Sequence, residues 1–440
     1  MSGMFVHNLR LGAKSLRRNP VLTALMIMSI GIGVAASMIT YAVFRAVSGN
    51  PIPQKSSVLF VPQIDNWGPT YNRAGEPPPA LNYTDAMALM KAKKAERQTV
   101  FFPISASVIS TTTERLPFKV RGYATFGDFF PMFEVPFLYG SGWSHESDDA
   151  HEAVAVISKE LNKKLFDGAN SVGKDIQLDD GTYRIVGVTD TYDPKPRFFD
   201  MFNSDGYTDP AQVYVPFHHM MDLKVDTWGN NTCGGGPNRG NDYQSWLRGE
   251  CVWLAAWVEL PTKADEDAYR SWLRGYAEEQ QRSGRFGWAP NVRLRNVVDW
   301  LDYRHAVPPE SRIALTIAVS FLIICLVNTV GLLLAKFMRR APEIGVRRAL
   351  GASRAEIYKQ FLAEAGMVGL SGGVLGLILT GAGMFGTGLV FGKEIAKLAQ
   401  LDFSLVLLTL VVAVLSTLIA AFYPTWRAAQ VQPAWQLKSN

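Results

Sequence analysis

Charge is missing from four long stretches of this chain. Residues 21–44, 313–335, 365–391 and 403–426 hold no lysine, arginine, aspartate or glutamate. Each runs for about 23 to 27 residues, long enough to cross a hydrocarbon core of ~30 Å with some tilt. With no ionisable residue in mid-span, an ion or proton relay has nothing to run on, which argues against an ion-coupled transporter. Cysteine is scarce: Cys325 lies in an apolar stretch, and Cys233 and Cys251 lie in the long polar middle. No group of residues has metal-ligand spacing. His218-His219 comes nearest, and neighbours on a strand point to opposite faces. No nucleophile elbow or convergent catalytic set is visible, so no enzyme site and no resident cofactor or metal is expected. The net charge is only +5, and no nucleic-acid partner is expected.

What is present reads as an integral membrane protein. The expected fold class is membrane α-helical, with four transmembrane helices and a large mixed α/β domain inserted between the first and second. The expected spans are 21–45, 310–336, 363–392 and 403–426. The first is too long for a signal h-region and follows a basic segment, so it reads as a retained signal-anchor. Lysine and arginine fix the orientation. Arg10, Lys14, Arg17 and Arg18 precede the first span; Lys336, Arg339, Arg340, Arg347, Arg348, Arg354 and Lys359 separate the second and third; Arg427 and Lys438 follow the fourth. The short 393–402 loop is neutral. The N-terminus, the 337–362 loop and the 427–440 tail are therefore expected inside, and 46–309 outside. In segment 1–20, Phe5, Leu9 and Leu16 fall near one helical face away from the basic residues, which suits an amphipathic helix in the inner headgroup layer; the alternative is a plain basic flank.

Gly369 and Gly373 are four apart in the third span, as are Gly372 and Gly376, a spacing that lets helix backbones approach closely. It serves packing within the four-helix set or a dimer seam equally well. In the outer stretch, 58–62, 118–123, 154–158, 183–188 and 213–217 read as strands, with Asp180-Gly181 as a hairpin turn after 176–178. Residues 159–166 and 263–282 read as helices. The stretch 192–246, rich in Pro, Gly, Asn and Asp, reads as a long loop or insertion. Cys233 and Cys251 are the candidate disulfide, in an oxidising compartment under this topology; the alternative is two free thiols. Gly168-Ala-Asn-Ser-Val-Gly-Lys174 has phosphate-loop spacing, but Asp175 follows. The hydroxyl that would hold magnesium is missing, and a carboxylate repels phosphate.

Between the second and third spans the sequence runs Arg340-Ala-Pro-Glu-Ile-Gly-Val-Arg-Arg-Ala-Leu-Gly-Ala352, then Ser353-Arg354 and Gln360-Phe-Leu-Ala-Glu364. From the residues alone, Ile344, Val346, Ala349 and Leu350 offer an apolar patch to a partner groove; the alternative is a basic flank on anionic membrane lipid. The run resembles the cytoplasmic loop of the MacB/FtsX-type ABC permeases, whose pattern is R-E-I-G-I-R-R-A-L-G-A followed by Q-F-L-x-E-A. Pro342 departs from the usual residue before the glutamate but fits a first helical turn. Val120-Arg-Gly-Tyr123, Phe129-Phe130, Val154-Ala-Val-Ile157 and Ile185-Val-Gly-Val188 resemble the family's periplasmic core domain, and Pro424-Thr-Trp-Arg-Ala-Ala429 with Pro433 its C-terminal signature.

The resemblance implies a permease of the bacterial inner membrane with a periplasmic outer domain. ATP and magnesium would belong to a separate ABC ATPase subunit dimer. Glu343, Ile344, Gly345, Val346, Arg347, Arg348, Ala349, Leu350, Gly351 and Ala352 would form the helix that couples to it. A second permease, self or paralogue, is implied, with a periplasmic adaptor and an outer-membrane duct as further partners in the efflux reading. The implied mechanism is mechanotransmission: ATP-driven closure moves helices, and the outer domains respond. Efflux or secretion of a drug or peptide is the leading expectation. Lipoprotein or lipid extraction, and signalling to a cell-wall hydrolase, are the alternatives.

Overall fold

A computed structural model describes residues 19–71, 74–109, 116–234, 242–307, 309–390 and 402–430. Pro433, almost all of the 1–20 segment and all but Asp402 of the 393–402 loop lie outside the described residues. The chain divides into two compact units, Met1–Ser48 with Val307–Asn440, and Gly49–Ala306.

The first unit is a helical bundle. Among the described residues, four helices are long and apolar enough to cross a membrane: Pro20–Ser48, Glu310–Met338, Arg354–Gly386 and Phe403–Ala429. The third packs on the first and fourth, and the second also packs on the first and fourth. Asp402 starts the last helix by accepting the Leu405 N–H at 2.8 Å. Met26, Ile30 and Val34 of the first helix meet Phe361, Ala365 and Val368 of the third in one core cluster.

The second unit is built on a ten-stranded sheet. Its strands are β1 (Leu59–Ile64), β2 (Arg97–Ile109), β3 (Phe118–Thr125), β4 (Phe137–Gly140), β5 (Val154–Ser158), β6 (Asp175–Leu178), β7 (Gly181–Thr189), β8 (Val213–Pro216), β9 (Ala255–Glu259) and β10 (Val292–Asn296). The order is β10-β1-β9-β2-β3-β8-β5-β7-β4, with β6 pairing β2 and β7. Among the described residues only the β3–β8 and β5–β7 pairs are parallel. Both faces are covered, and the two-residue repeat of a strand sorts side chains between them. Ala155, Ile157, Val213, Val215, Ala256 and Val258 enter one core. Val154, Val156, Tyr214, Ala255 and Trp257 enter the other.

Local signals explain the helices over the first core. Asn82 caps Tyr83–Ala92, Ser158 caps Lys159–Phe166, and a Thr262–Asp265 capping box opens Lys263–Arg282. Tyr269, Leu273 and Ala277 are the inward stripe of that last helix. Arg285, just beyond it, ties three distant segments together. Its guanidinium meets both oxygens of Asp85 at 2.5 and 3.0 Å and both oxygens of Glu250 at 2.9 Å. The Tyr276 hydroxyl donates to Asp85 at 2.7 Å. Burial pushes the Asp85 carboxyl up, and Arg285 pulls it back down. Burial also works against the Arg285 cation, but the Glu250 and Asp85 carboxylates hold it above the ordinary arginine value.

Three expectations need correction. The longest strand, β2, has no counterpart among the expected strands, and Pro103 lies within it. Arg97–Phe101 pair with β9 and Phe102–Val108 with β3, so Pro103 sits just past the switch. The Pro103 carbonyl accepts from Trp228 N. A strand residue's nitrogen faces the same side as its carbonyl, so the missing N–H faces a loop and not β3. The 192–246 stretch is more than a loop: beyond β8 it carries a 3-10 turn with buried Phe198 and Phe199, and helices Phe217–Asp222 and Tyr243–Leu247. His218 and His219 therefore lie on a helix and not on a strand.

Candidate functional site

The segment between the second and third spanning helices is a compact helical turn. Helix Ala341–Ala349 begins after Arg340 with Pro342 in its first turn, where a missing N–H is tolerated. Gly351, at φ +102°, turns the chain beyond it. Ser353 and Glu356 then form a reciprocal cap, with Glu356 N donating to Ser353 Oγ at 3.2 Å and Ser353 N to Glu356 Oε2 at 3.0 Å. The next helix starts at Arg354, well before the expected span at 363.

The short helix is two-faced. Ala341, Ile344 and Gly345 are buried, and Ile344 packs in the cluster that holds Phe337, Ile357 and Phe361. Pro342, Val346, Ala349 and Leu350 are exposed at spacings that place them on one helical face. Val346 is 58 % exposed and Leu350 83 %. Of the four residues expected to form the apolar patch, Ile344 is a bundle residue and three remain outward. Arg347 flanks the exposed face, bonded to Glu343 at 2.6 Å and to Gln360 at 3.0 Å. Arg348 and Ala352 are half-buried, and Gly351 is exposed.

Beneath this helix lies an ion cluster that sequence reasoning missed. Lys336, read there as part of a basic flank, is fully buried. Its ammonium is 2.7 Å from Glu364 Oε1, with both side chains 1 % exposed. It also donates to Thr23 Oγ1 of the first spanning helix at 3.3 Å. The other Glu364 oxygen accepts from Arg340 Nη1 at 2.8 Å. Arg340 reaches Glu343 at 3.4 Å and lies over the Phe361 ring, whose centroid is 4.3 Å from that of Phe337. The one available signal was a glutamate among apolar residues, three positions after Phe361.

The third-span glycines make close approaches within the chain. A Cβ at Gly369 would lie 2.9 Å from Thr417, and one at Gly373 3.0 Å from Ala413, both on the fourth helix. A Cβ at Gly372 would lie 2.8 Å from Ile30, and one at Gly376 3.2 Å from Val34, both on the first.

In the α/β unit, Cys233 and Cys251 are joined as a disulfide, and Thr232 and Val252 beside them form a β-bridge. The 168–174 segment leads into strand β6 and not into a helix, so it lacks the helix N-terminus a phosphate loop uses. His218 stacks on His151 with ring centroids 4.8 Å apart, and burial followed by His151 lowers its pKa. Among the described residues no group of three or more His, Cys, Asp or Glu could hold a metal ion. A cleft of about 580 Å³ is lined by Tyr83, Met87, Met90, Phe126, Asp128 and Asp148, among others. Burial pushes the Asp148 carboxyl up to about 6, although it accepts from Gly127 N at 2.8 Å and from the Trp143 indole at 2.7 Å.

Four candidate spans, a helical turn between the second and third, and an α/β domain between the first and second define a membrane permease in class. The description "MacB-like periplasmic core domain" matches residues 23–276, and "FtsX-like permease C-terminal" matches 315–433. The chain belongs to the MacB/FtsX-like family of ABC transporter permeases, which work with ABC ATPases in general, and its α/β unit is the family's periplasmic core domain. It is 23% identical over 359 residues to the macrolide export ATP-binding/permease protein MacB of Salmonella typhi, covering 81% of this chain and 48% of that protein. It is 27% identical over 313 residues to the MacB of Acinetobacter baylyi (70% and 40% covered) and 23% over 432 residues to that of Azoarcus sp. (98% and 59%). The chain spans about half the length of the curated relatives it matches. Among solved structures it is similar to the periplasmic region of MacB from Actinobacillus actinomycetemcomitans, with TM-score 0.35, 14% identity, and 56% and 92% coverage. A second is the extracellular domain of the noncanonic ABC-type transporter YknZ from Gram-positive bacteria, with TM-score 0.34, 10% identity, and 54% and 99% coverage.

Proposed function

We propose that this chain is the permease subunit of a mechanotransmission-type ABC transporter of the bacterial inner membrane. A separate ABC ATPase dimer hydrolyses ATP, and the permease, paired with a second permease, converts that cycle into motion of the periplasmic domain. The work done is efflux or secretion of a drug, peptide or similar substrate, with a periplasmic adaptor and an outer-membrane duct as partners. Both termini and the 337–362 segment face the cytoplasm. The observation that carries this reading is the two-faced helix Ala341–Ala349. Its inner face is packed on the bundle and Arg340 just before it is salt-bridged to Glu364, while Pro342, Val346, Ala349 and Leu350 present an apolar strip with Arg347 beside it. An apolar helix face held on a rigid support suits a partner groove.

The test is co-purification of the tagged protein, in detergent extracts of its own host, with an ABC ATPase. Wild type should retain an active ATPase. Val346→Asp with Leu350→Asp, which puts two carboxylates on the exposed strip and leaves the buried residues alone, should lose it. Equal recovery from both would remove the docking role from this helix. Failure of wild type to hold any ATPase would count against the permease reading.

A further inference from the structure

We propose that Glu364 is the positioning residue through which movement of the docking helix passes to three of the spanning helices; this rests on the function proposed above. One carboxylate serves two cations at different helix ends. Oε1 holds Lys336 in the last turn of the second spanning helix, and Oε2 holds Arg340 at the start of the docking helix. Glu364 itself belongs to the third, and Lys336 carries the link to Thr23 of the first. The two oxygens therefore join four helices through contacts of 2.7, 2.8 and 3.3 Å.

A carboxylate this buried is costly unless each oxygen is satisfied, and apolar side chains of similar volume often serve stability as well or better. Packing alone therefore does not account for charge at this place. What charge adds is direction and length: Arg340 cannot shift relative to Lys336 without breaking one of the two bonds to Glu364. The Phe337–Phe361 contact and the placement of Arg340 over Phe361 back the pair with a rigid wall. Pushed from the cytoplasmic side, the docking helix is thereby tied to the bundle by a short polar strut. Bundles with discrete packings move as rigid bodies, and a strut between them selects which bodies move together.

The test uses the full chain with its ATPase in lipid nanodiscs. The readout is amide hydrogen exchange of the periplasmic domain with and without Mg-ATP and vanadate. Glu364→Gln leaves Lys336 buried beside a neutral amide and is expected to weaken folding. The decisive variant is therefore Lys336→Met with Glu364→Leu, which keeps the volume, removes both fully buried charges and leaves Arg340 its second carboxylate partner, Glu343. Expected are unchanged melting, unchanged ATPase recovery, and an ATP-dependent exchange change in the periplasmic domain reduced roughly fivefold or more. A variant that docks the ATPase and keeps the full wild-type response would overturn the strut. So would loss of ATPase recovery in this variant, because the cluster would then only shape the docking helix. Absence of ATPase from wild type would instead sink the reading on which the strut rests, and it is seen in a separate lane of the same experiment.

Discussion

Arg285→Met is the most informative single change in the periplasmic domain. The wild-type guanidinium sits between Asp85 and Glu250, with its own side chain 17% exposed and those of Asp85 and Glu250 1% and 20% exposed. Methionine fills much of the same space but leaves two carboxylates facing each other. Removing one partner of a buried ionic cluster costs about 3–5 kcal/mol. For a domain of this size that corresponds to a fall in melting temperature of roughly 6–20 °C. The loss should depend on pH. Without Arg285, burial and the neighbouring Glu250 charge hold the folded-state pKa of Asp85 above that of the unfolded chain, which is about 3.9. The folded variant then binds more protons than the unfolded one, so its stability falls as pH rises through and above that value. The penalty should be small near pH 4.5 and large at pH 7.5. Thermal unfolding followed by tryptophan fluorescence suits the measurement, because of the eleven tryptophans only Trp426 and Trp435 lie outside the periplasmic domain. A penalty at pH 7.5 below about 1 kcal/mol, the scale of an exposed pair, or one equal at both pH values, would refute the reasoning.

Two further outcomes are expected. Gly372→Ala and Gly369→Ala should each lower the melting temperature of the detergent-solubilised bundle at a cost of about 1–3 kcal/mol, because their new methyls meet Ile30 and Thr417. Gly331→Ala, where a Cβ meets nothing within 4 Å, should not; equal behaviour of all three would discount the close approaches. Cys233→Ser with Cys251→Ser should cost about 3 kcal/mol of periplasmic-domain stability for a sequence separation of 18. A reductant should then shift the melting of wild type but not of the variant.

The sequence revealed those parts of the molecule that have a local physical signature. Runs without charge showed the four spans, and dense β-branched runs showed β5, β7 and β8. The 159–166 and 263–282 helices were also legible, and the structure shows them capped by Ser158 and by the Thr262–Asp265 box. What stayed hidden depends on partners far along the chain. Asp85 and Arg285 are 200 residues apart, and no periodicity links them. Lys336 looked like one more positive charge at a membrane boundary, because burial is decided by Thr23 and Glu364 on other helices. In the 341–349 helix the apolar residues were visible, but Ile344 and Val346 look alike until packing turns one inward. His218-His219 follows a strand run in the sequence, and only the turn into a helix at Phe217 takes the pair off it.

The long strand β2 has a consequence for how the periplasmic domain can move. Its first part belongs to the ladder with β9 and β1, and its second to the ladder with β3 and β8. Thirteen residues at ~3.4 Å each make a continuous rod of about 44 Å. Val100, Phe102, Ile104, Ala106 and Val108 all keep to one core, so no bulge breaks the rod. The two ladders therefore cannot hinge apart or slide past each other without tearing hydrogen bonds. They can turn against each other only by winding or unwinding this strand about its own axis. A push received at one end of the sheet would reach the other as torque, much as a torsion bar carries load between two arms.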